Sequence, residues 1–590
     1  MCANFQRSIT NNRGMGIRLE VNGREIMAEK GETILTAIRR NGMDVPTICN
    51  LEELSPTGAC RMCVVEVEGR ENLVTACSFP VEEELIIRTH SPRVLHARKT
   101  NLELLLSSHP DDCLYCERNR MCELQSLAEE LNIRQRRIPS KIRSYRTDRS
   151  SPAIARDPAK CILCGRCVRV CEEIMATSTL DFAGRGNELR ISTSLGMSLD
   201  DSNCTSCGQC LNACPTAALV ENTRINELEP LLHDPKTFVM VQVAPQVAVS
   251  LGEMFGFRPG ADMGSVLNAL LRRLGFGFIT GTALGADLMV LGQTEIFREM
   301  RLKEKQLPLV TSSCPAWLQY CETNLPEWVP HLSPLRSPAQ ITGVLMKTRF
   351  AGQAADAGKN IVSVLVTSCT AAKKEAVQTG NTLSGKPVID LVLTTRELAR
   401  LIRTSGLDPE KFRSEEGEPG TPDESAARLT AVAGGEAELA ARTIYFRETG
   451  QELDPSRLQR FRIQRSFREA TLEKGKYSLK IGAVSGLSNV VALLDEIRRG
   501  EKQLDLLEVM ACPEGCVNGG GQPLGATGNL VRARTRAIYD QDNSAGIRTA
   551  HGNRVACGLR GEFLEKQGGE TGLHLLLRSN NLYGRTGHEA

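Results

Sequence analysis

The chain has 590 residues, enough for several domains of about 100–200 residues each, and its hydrophobic content of 41% is ample for packed cores. The formal net charge of +2 gives no reason to expect a nucleic acid or an acidic membrane surface as a partner. No apolar stretch reaches the length of about 18 residues that a membrane helix needs, and the polar N-terminus lacks the apolar core of a signal peptide. These features predict a cytoplasmic protein.

Residues 15–92 are the first segment with a recognisable chemistry in a chain that has 22 cysteines. A reducing cytosol argues against disulfides, so clustered thiols predict metal sites. Strand-like runs (IRLEV, REIMAEKG) and a helix-like TILTAIRRNG accompany Cys49, Cys60, Cys63 and Cys77. Four thiolates suit a [2Fe–2S] cluster, which takes soft anionic ligands. A zinc site and buried free cysteines are the alternatives, and the long first gap and the β-rich context favour iron–sulfur.

Residues 93–135 contain a histidine followed closely by three cysteines, His109, Cys113, Cys116 and Cys122, in SHPDDCLYCERNRMC. Such a set could bind zinc. Because it lies between two cluster-like segments, a [4Fe–4S] cluster with one imidazole ligand is preferred. An imidazole is neutral where a thiolate is charged, which should change the potential of the cluster and its coupling to protons.

Residues 132–150 are rich in arginine. Charge runs are usually solvated faces or linkers, so the segment is interpreted as a connector between domains. Docking of an acidic electron carrier such as ferredoxin is the alternative interpretation.

Residues 145–225 carry two runs of the form C-x2-C-x2-C-x3-C, CILCGRCVRVC and CTSCGQCLNAC. This is the spacing of two-cluster bacterial ferredoxins, in which the fourth cysteine of each run binds the other cluster. The two predicted [4Fe–4S] ligand sets are therefore Cys161, Cys164, Cys167 and Cys214, and Cys204, Cys207, Cys210 and Cys171.

Residues 236–528 alternate apolar runs with helical stretches, a pattern typical of α/β architecture. Cys314, Cys369, Cys512 and Cys516 all follow the ends of apolar runs. Because ligands bind outside the carboxyl ends of strands in open α/β sheets, these cysteines are expected to converge on a further [4Fe–4S] cluster. The alternative is that small buried cysteines fill a core. Three cysteines are left without a predicted role: Cys2, Cys321 and Cys557.

Three motifs, TSSCPAW, SCTAAKKE and MACPEGCVNGGGQP, resemble the signatures TSCCPxW, PCxxKxxE and MACxxGCxxGGGQP of the multi-cluster [FeFe]-hydrogenase large subunits. The resemblance covers nearly the whole chain. It implies a multidomain α+β and α/β fold: a β-grasp [2Fe–2S] domain, a [4Fe–4S] domain with one histidine and three cysteine ligands, a two-cluster bacterial ferredoxin-like domain, an α/β iron-hydrogenase-like domain, and a small-subunit-like tail at 529–590.

The same resemblance implies functional roles for particular residues. Cys314, Cys369, Cys512 and Cys516 would hold the cubane of the H-cluster, and Cys516 would also bridge to a diiron site that carries CO, cyanide and an azadithiolate. Relatives work with flavin- and NAD(P)-binding subunits, and some bifurcate electrons between ferredoxin and pyridine nucleotide. No convincing Gly-rich nucleotide fingerprint occurs in this chain, so flavin and NAD(P) are expected on other chains.

The departures from the family pattern concentrate around the diiron site. Ser313 replaces the cysteine that relays protons, and a hydroxyl is a far weaker acid than a thiol. The lysine that pairs with a cyanide is Ala372, with Lys373 one position away. A buried cyanide without that ammonium loses a charge-assisted hydrogen bond of roughly 1.5–3 kcal/mol. The remaining departures replace the family's glutamine, methionine, proline, small residue and acidic stretch by Ala339, Thr367, Ser368, Gln246 and ADLMVLGQ, respectively.

We therefore expect an iron–sulfur electron-transfer subunit on an [FeFe]-hydrogenase scaffold, with one [2Fe–2S] and four [4Fe–4S] clusters. It would relay electrons between flavin and NAD(P)H partner subunits, ferredoxin and a partner enzyme without hydrogen chemistry. The alternative is an active or sensory [FeFe]-hydrogenase with an atypical diiron pocket.

Overall fold

The computed structural model describes residues 16–140, 145–303, 307–378, 380–383, 385–412, 425–464, 466–565 and 576–578. Cys2 and parts of the predicted tail lie outside these ranges. Within them, no helix combines the length and the apolar character needed to cross a membrane.

The first sheet contains five short strands: β1 (Ile17–Val21), β2 (Arg24–Ala28), β3 (Val64–Val67), β4 (Val74–Thr75) and β5 (Ile86–Arg88). Their order is β2-β1-β5-β3-β4, and only the β1–β5 pair is parallel. Leu19 and Val21 alternate with more exposed residues and face helix α1 (Ile34–Arg40), whose Ile34 and Ile38 are fully buried. The loop between α1 and β3 carries Cys49 and Cys60.

Two helices follow the first sheet, and after them comes a small unit of short helices and two two-stranded sheets. Helix α2 (Pro92–Ser107) begins with Ser91, whose side chain accepts a hydrogen bond from the Val94 N–H, a standard N-cap. The elements that come next are α3 (Glu123–Glu130), β6 (Ile154–Arg156), α4 (Arg166–Arg169), β7 (Asp181–Ala183), β8 (Arg190–Ser192), α5 (Gln209–Ala213) and β9 (Leu219–Glu221). Strand β6 pairs with β9 and β7 with β8, both antiparallel.

Two four-stranded sheets form the remaining α/β region. One has the order β11-β10-β13-β16 and is parallel throughout; the other has the order β12-β19-β18-β17, with only the β17–β18 pair antiparallel. The strands are β10 (Thr237–Val243), β11 (Phe278–Gly281), β12 (Leu309–Val310), β13 (Asn360–Thr367), β16 (Leu391–Thr394), β17 (Phe467–Lys474), β18 (Tyr477–Ser485) and β19 (Leu506–Met510). A separate hairpin is formed by β14 (Thr382–Leu383) and β15 (Lys386–Pro387).

Helices cover these two sheets and complete the core. They are α6 (Ile225–His233), α7 (Pro245–Ala248), α8 (Gly264–Arg273), α9 (Ala283–Leu302), α10 (Pro315–Asn324), α11 (Pro338–Asp356), α12 (Ala371–Ala376), α13 (Thr395–Thr404), α14 (Gly435–Thr449), α15 (Gln459–Ile463), α16 (Leu487–Arg498), α17 (Gly528–Ser544) and α18 (Arg554–Glu565). Strands such as β19 are buried on both faces, as expected for parallel strands between helices. The predicted mixed α/β multidomain architecture is confirmed.

Candidate iron–sulfur sites

The terminal site forms where three strands end. Cys314 follows β12 and is the N-cap residue of α10, Cys369 follows β13, and Cys512 and Cys516 follow β19. Burial, and after it the thiols of Cys516, Cys314 and Cys512, raise the pKa of Cys369 well above its ordinary value. The backbone N–H of Ala511 donates to the Cys314 Sγ at 3.5 Å. The structure thus brings the four predicted cysteines together past the carboxyl ends of strands that belong to two different sheets.

The glycine run after Cys516 allows three segments to meet at this site. A Cβ on Gly519 would lie 2.6 Å from the Ser368 Oγ, and one on Gly520 would lie 2.4 Å from the carbonyl oxygen of Cys207. A side chain at either position would therefore push apart the loop and the segments that contact it. The close approach of backbone to backbone explains why glycine occurs here.

Three of the positions that depart from the family pattern bond to one another or to backbone. The Gln246 side-chain amide donates to the Thr367 hydroxyl at 3.1 Å, and both groups are buried. The Ser368 hydroxyl donates to the Cys516 carbonyl oxygen at 2.6 Å. Ala372 is buried, and the carbonyl oxygen of Ala339 accepts a hydrogen bond from the side-chain amide of Gln242. These polar groups therefore have partners within the protein.

The ammonium group of Lys373, the lysine next to Ala372, is held by a buried carboxylate. Its Nζ lies 2.7 Å from the Glu397 Oε1 and donates to the carbonyl oxygen of Asn222 at 2.8 Å. Both side chains of the ion pair are buried, at 2% and 0% exposure. Glu397 also accepts from the Thr394 N–H in the capping box of α13. The ammonium group is thus fixed by a buried carboxylate at the start of a helix.

A buried carboxyl that the sequence analysis missed contacts Ser313. The Ser313 hydroxyl and the Gln293 side-chain amide both donate to Glu436, the second residue of α14. Burial raises the pKa of Glu436, against the effect of these two donors. Gln293 lies in the ADLMVLGQ stretch, so the groups at two departing positions meet at one carboxyl. The only feature of the sequence that points to Glu436 is that it is a charged residue in a stretch of mostly small and apolar residues, GGEAELAARTIYF.

The two ferredoxin-like runs have matching backbone geometry. Leu163 and Ser206 have φ of +57° and +55°, and Gly165 and Gly208 have φ of +71° and +72°. Each glycine is the N-cap residue of its short helix, in the left-handed conformation that glycine adopts without strain.

The thiols of these two runs separate into two groups. A cavity is lined by Cys161, Cys164, Cys167 and Cys214. These four residues are the first predicted ligand set, in which Cys214 comes from the other run. Burial, and after it the thiols of Cys207 and Cys204, raise the pKa of Cys171. Cys171 therefore faces the second predicted set. The cavity and the soft donors lining it fit an iron–sulfur cluster.

The two N-terminal sites have the predicted residues in place. The thiols of Cys60 and Cys77 lie within hydrogen-bonding distance of Cys49, and Cys77 also contacts Cys63. Burial raises the pKa of Cys122, and the nearby thiols of Cys116 and Cys113 add to that shift.

The histidine of the second site has an unpartnered ring nitrogen. The Nδ1 of His109 is buried without a hydrogen-bond partner, as the nitrogen of an imidazole that ligates iron would be. Among the residues that the structure describes, no three potential ligands lie close enough to bind a single metal ion. Cys321 is buried within α10 and Cys557 is exposed on α18, so neither joins a site.

The cluster sites contact one another through short polar bonds. Arg169 donates to the Cys49 carbonyl oxygen at 2.6 Å, and Arg166 forms a 2.6 Å ion pair with Glu123, which follows Cys122. On the other side, the Gln209 amide donates to the Asn518 carbonyl oxygen at 2.9 Å, near the terminal site. The ferredoxin-like unit therefore lies between the N-terminal sites and the terminal site.

Four family descriptions match successive parts of the chain. Residues 14–92 match a 2Fe-2S iron-sulfur cluster binding domain, and residues 98–137 match the NADH-ubiquinone oxidoreductase-G iron-sulfur binding region. Residues 160–218 match a 4Fe-4S dicluster domain, and residues 237–520 match the C-terminal domain of the iron only hydrogenase large subunit. The predicted [2Fe–2S] and [4Fe–4S] cluster types are confirmed at the level of domains.

Whole proteins of similar length also match. The chain is 37% identical to the NADP-reducing hydrogenase subunit HndD of Solidesulfovibrio fructosivorans, over 95% of this chain and 98% of that protein. It is 33% identical to iron hydrogenase 1 of Clostridium pasteurianum, over 93% and 97% of the two chains. A solved structure of the [FeFe]-hydrogenase HydA1 from Chlamydomonas reinhardtii covers 61% of this chain and 99% of that one, with a TM-score of 0.54 at 26% identity. The chain therefore belongs to the family of [FeFe]-hydrogenase large subunits that carry additional iron–sulfur domains.

Proposed function

We propose that this chain is an electron-relay subunit that binds iron–sulfur clusters on the [FeFe]-hydrogenase scaffold and carries out no hydrogen chemistry. The single observation that carries this proposal is the ion pair of Lys373 with Glu397. It removes the one ammonium near Cys369 that sequence reasoning left as a possible partner for a diiron cyanide. All four cysteines for the terminal cubane are nevertheless present.

The relay would use five clusters held by the predicted ligand sets. One [2Fe–2S] would be bound in a β-grasp domain at 15–92 and one His-ligated [4Fe–4S] at 93–135. Two [4Fe–4S] would be bound in the ferredoxin-like domain at 145–225 and one in the hydrogenase-like domain at 236–528, which the tail at 529–590 completes. The convergence of thiols at each site, the unpartnered His109 Nδ1 and the cavity beside Cys164 support these assignments. Bound there, the clusters supply one-electron transfer steps.

The contacts between the sites support a path for electrons through the chain. The ferredoxin-like unit bonds to the Cys49 loop through Arg169 and to the terminal loop through Gln209. Electrons that enter at either N-terminal site would thus reach the terminal cubane through the ferredoxin-like pair. The arginine and amide contacts fix the spacing between the sites.

The residues present do not fit a diiron unit. Gln246, Thr367 and Ser368 bond to one another or to backbone, and none of them carries the positive charge with which the family's lysine pairs with a cyanide. A buried anion that finds no donor keeps its full desolvation penalty. We therefore derive no reaction step through such a unit.

The proposed partners rest on those relatives that are named as subunits of larger oxidoreductases. HndD is a subunit of an NADP-reducing hydrogenase, and a further relative, 36% identical over 35% of this chain, is the alpha subunit of an NADPH-Fe(3+) oxidoreductase. We propose that this chain likewise assembles with flavin- and NAD(P)-binding subunits and exchanges electrons with ferredoxin. Such a complex could bifurcate electrons between ferredoxin and pyridine nucleotide.

Infrared spectroscopy tests the proposal directly. The chain is produced together with the proteins that assemble the diiron unit, and its spectrum and hydrogen evolution are measured. We expect iron and sulfide contents that match five clusters, no CO or cyanide bands and no hydrogen. An active hydrogenase of the family, produced in the same cells, is the control and shows both bands and gas.

The opposite outcome identifies the alternative function. CO and cyanide bands with rapid hydrogen turnover would mark an active hydrogenase, and bands with slow turnover would mark a sensory one. Either result contradicts the proposed loss of the diiron unit.

A further inference from the structure

Among the residues that the structure describes, none supplies a cationic partner to the buried carboxyl of Glu436, so this group is costly to ionise. Its side chain is 0% exposed and receives one hydroxyl donor, from Ser313, and one amide donor, from Gln293. Neither donor carries a charge, so the ionised form is weakly compensated. This geometry favours a protonated Glu436.

A second buried carboxyl, Glu508 on β19, also lies near the terminal site. The backbone N–H groups of Gly434 and Ala437 donate to its two oxygens at 2.8 Å and 2.7 Å. These groups belong to the N-terminus of α14, where a negative charge is stabilised. Glu508 is therefore the member of the pair that is better able to be ionised, while each carboxyl opposes ionisation of the other.

Little positive charge lies close enough to Glu436 and Glu508 to stabilise their ionised forms. Arg468 is the charged group that faces Glu508 from β17, and it bonds to Glu514 at 3.1 Å and to the Tyr539 hydroxyl at 3.2 Å. Its charge is thus shared with a third carboxylate. The Oε1 of Gln293 is buried without a partner, and after an amide flip it could accept a proton shared with Glu436.

The pair also lies within electrostatic reach of a predicted cluster ligand. The carboxyls of Glu508 and Glu436 contribute to the raised pKa of Cys516, after burial and Cys314. An electron added to a cluster at the terminal site would therefore interact electrostatically with both carboxyls. Two coupled carboxyls that share a proton respond to such a charge by binding another.

We propose that Glu436 and Glu508 form a proton-binding site that takes up one proton from solvent when one electron arrives at the cluster bound by Cys314, Cys369, Cys512 and Cys516. The electron comes from the ferredoxin-like pair, and the added negative charge is balanced by the added proton. When the electron leaves, the pair releases the proton. Ser313 is a positioning residue because its hydroxyl holds Glu436. This inference rests on the part of the proposed function in which a cubane binds at the terminal site, and it does not depend on the absence of a diiron unit.

The test is a redox titration of the terminal cubane in the full holoprotein, followed by electron paramagnetic resonance from about pH 6 to pH 9. The signal is assigned by its loss in Cys512→Ala. We expect the wild-type potential to fall by about 59 mV for each tenfold decrease in proton concentration within part of this range. Glu508→Gln should remove most of that slope, because Glu508 is the carboxyl that is better able to be ionised and therefore to take up the proton. Glu436→Gln and Ser313→Ala should shift the pH range in which the slope occurs.

A second buried glutamate provides the matched control. Glu375 also acts on Cys314 electrostatically, but it forms hydrogen bonds with Ser337 and Gln340 and lies within the electrostatic reach of Arg336. Glu375→Gln should keep the slope. A wild-type potential that is independent of pH, or a slope that survives in Glu508→Gln, overturns the proposal. A slope that is lost only in Glu375→Gln also overturns it and assigns the proton to the other side of the site.

Infrared difference spectroscopy gives a readout that does not depend on potentials. Reduced-minus-oxidised spectra of the wild type should contain the C=O stretch of a newly protonated carboxyl, and Glu508→Gln should lack it. The same spectra report CO and cyanide bands. Their appearance would contradict the proposed function and would leave the carboxyl signal to decide this inference separately.

Discussion

Lys373 illustrates how a displacement by one residue changes the chemistry of a site. On a helix, consecutive side chains point about 100° apart, so a lysine one position later faces a different neighbour. Ala372 packs in a buried apolar cluster with Val344 and Leu365, whereas Lys373 reaches Glu397. The sequence alone left open whether Lys373 could replace the family's lysine, because a motif records spacing and does not record which way a helix is rotated.

We predict that Lys373→Met destabilises the α/β region by about 3–5 kcal/mol, because it leaves the buried Glu397 without its cation. Both tryptophans of the chain, Trp317 and Trp328, are buried in this region, so their fluorescence during urea unfolding reports it selectively.

The adjacent lysine is the control for that measurement. Lys374 pairs with Asp200 at 3.1 Å, and the aspartate side chain is 45% exposed. Lys374→Met should therefore change stability by less than about 1 kcal/mol. Equal effects of the two substitutions would show that the ammonium of Lys373 is not held by Glu397.

The cysteines were predictable from the sequence, and Glu436 was not. Ligand spacing such as C-x2-C-x2-C-x3-C is imposed by a cluster and can be recognised without a structure. Glu436 sits among small and apolar residues, and only tertiary packing brings it to Ser313, 123 positions away. A charge in a helix normally predicts a solvated face, and α14 is instead buried along most of its length.

Helix α14 shows how an element can bury several charges at once. Arg442 donates to both carboxylate oxygens of Asp542 on α17 at 2.9 Å, and Arg462 contacts the same aspartate at 2.6 Å. Glu438 pairs with both arginines. We predict that Asp542→Ala costs about 3–5 kcal/mol, because two largely buried guanidinium groups then share one carboxylate.

An exposed pair provides the comparison for this network. Arg498 and Glu327 form an ion pair with side chains 53% and 51% exposed. Arg498→Ala should change the urea midpoint by an amount equivalent to less than about 1 kcal/mol. If Asp542→Ala had an equally small effect, the network would be acting as a set of surface charges.

At the level of elements, the sequence predicted strands but not their partners. The runs TFVMVQV and LDLLEVM became β10 and β19 because apolar runs of that length are buried on both faces. The same pattern cannot tell which strand lies beside which. The terminal cysteines were expected past the carboxyl ends of strands, and they do follow strand ends, but these strands belong to two sheets and β12 is reduced to Leu309 and Val310.

The packing of the domains against one another was beyond prediction for the same reason. The Gln209–Asn518 contact joins residues 309 positions apart, and nothing in either local sequence identifies its partner. The family resemblance supplied the order of the domains along the chain. It did not supply the contacts through which an electron would pass.

The contact between the ferredoxin-like unit and the terminal loop leads to a prediction for the whole molecule. A Cβ on Gly520 would lie 2.4 Å from the Cys207 carbonyl oxygen and 2.6 Å from the Gly208 Cα, and neither backbone atom can rotate away as a side chain would. Gly520→Ala must therefore separate two loops that carry predicted cluster ligands. Gly546, where an added Cβ meets nothing within 4 Å, is the control.

We expect Gly520→Ala to slow reduction of the terminal cubane several-fold while the iron content and the reduction of the ferredoxin-like pair stay unchanged. Freeze-quench electron paramagnetic resonance after mixing with a reductant separates the two steps, and Gly546→Ala should match the wild type. The physical reason is that electron transfer between clusters weakens as the distance between them grows, and this contact sets that distance. If the terminal cubane were reduced at the wild-type rate in Gly520→Ala, electrons would have to reach it by a route that avoids the Cys207 loop.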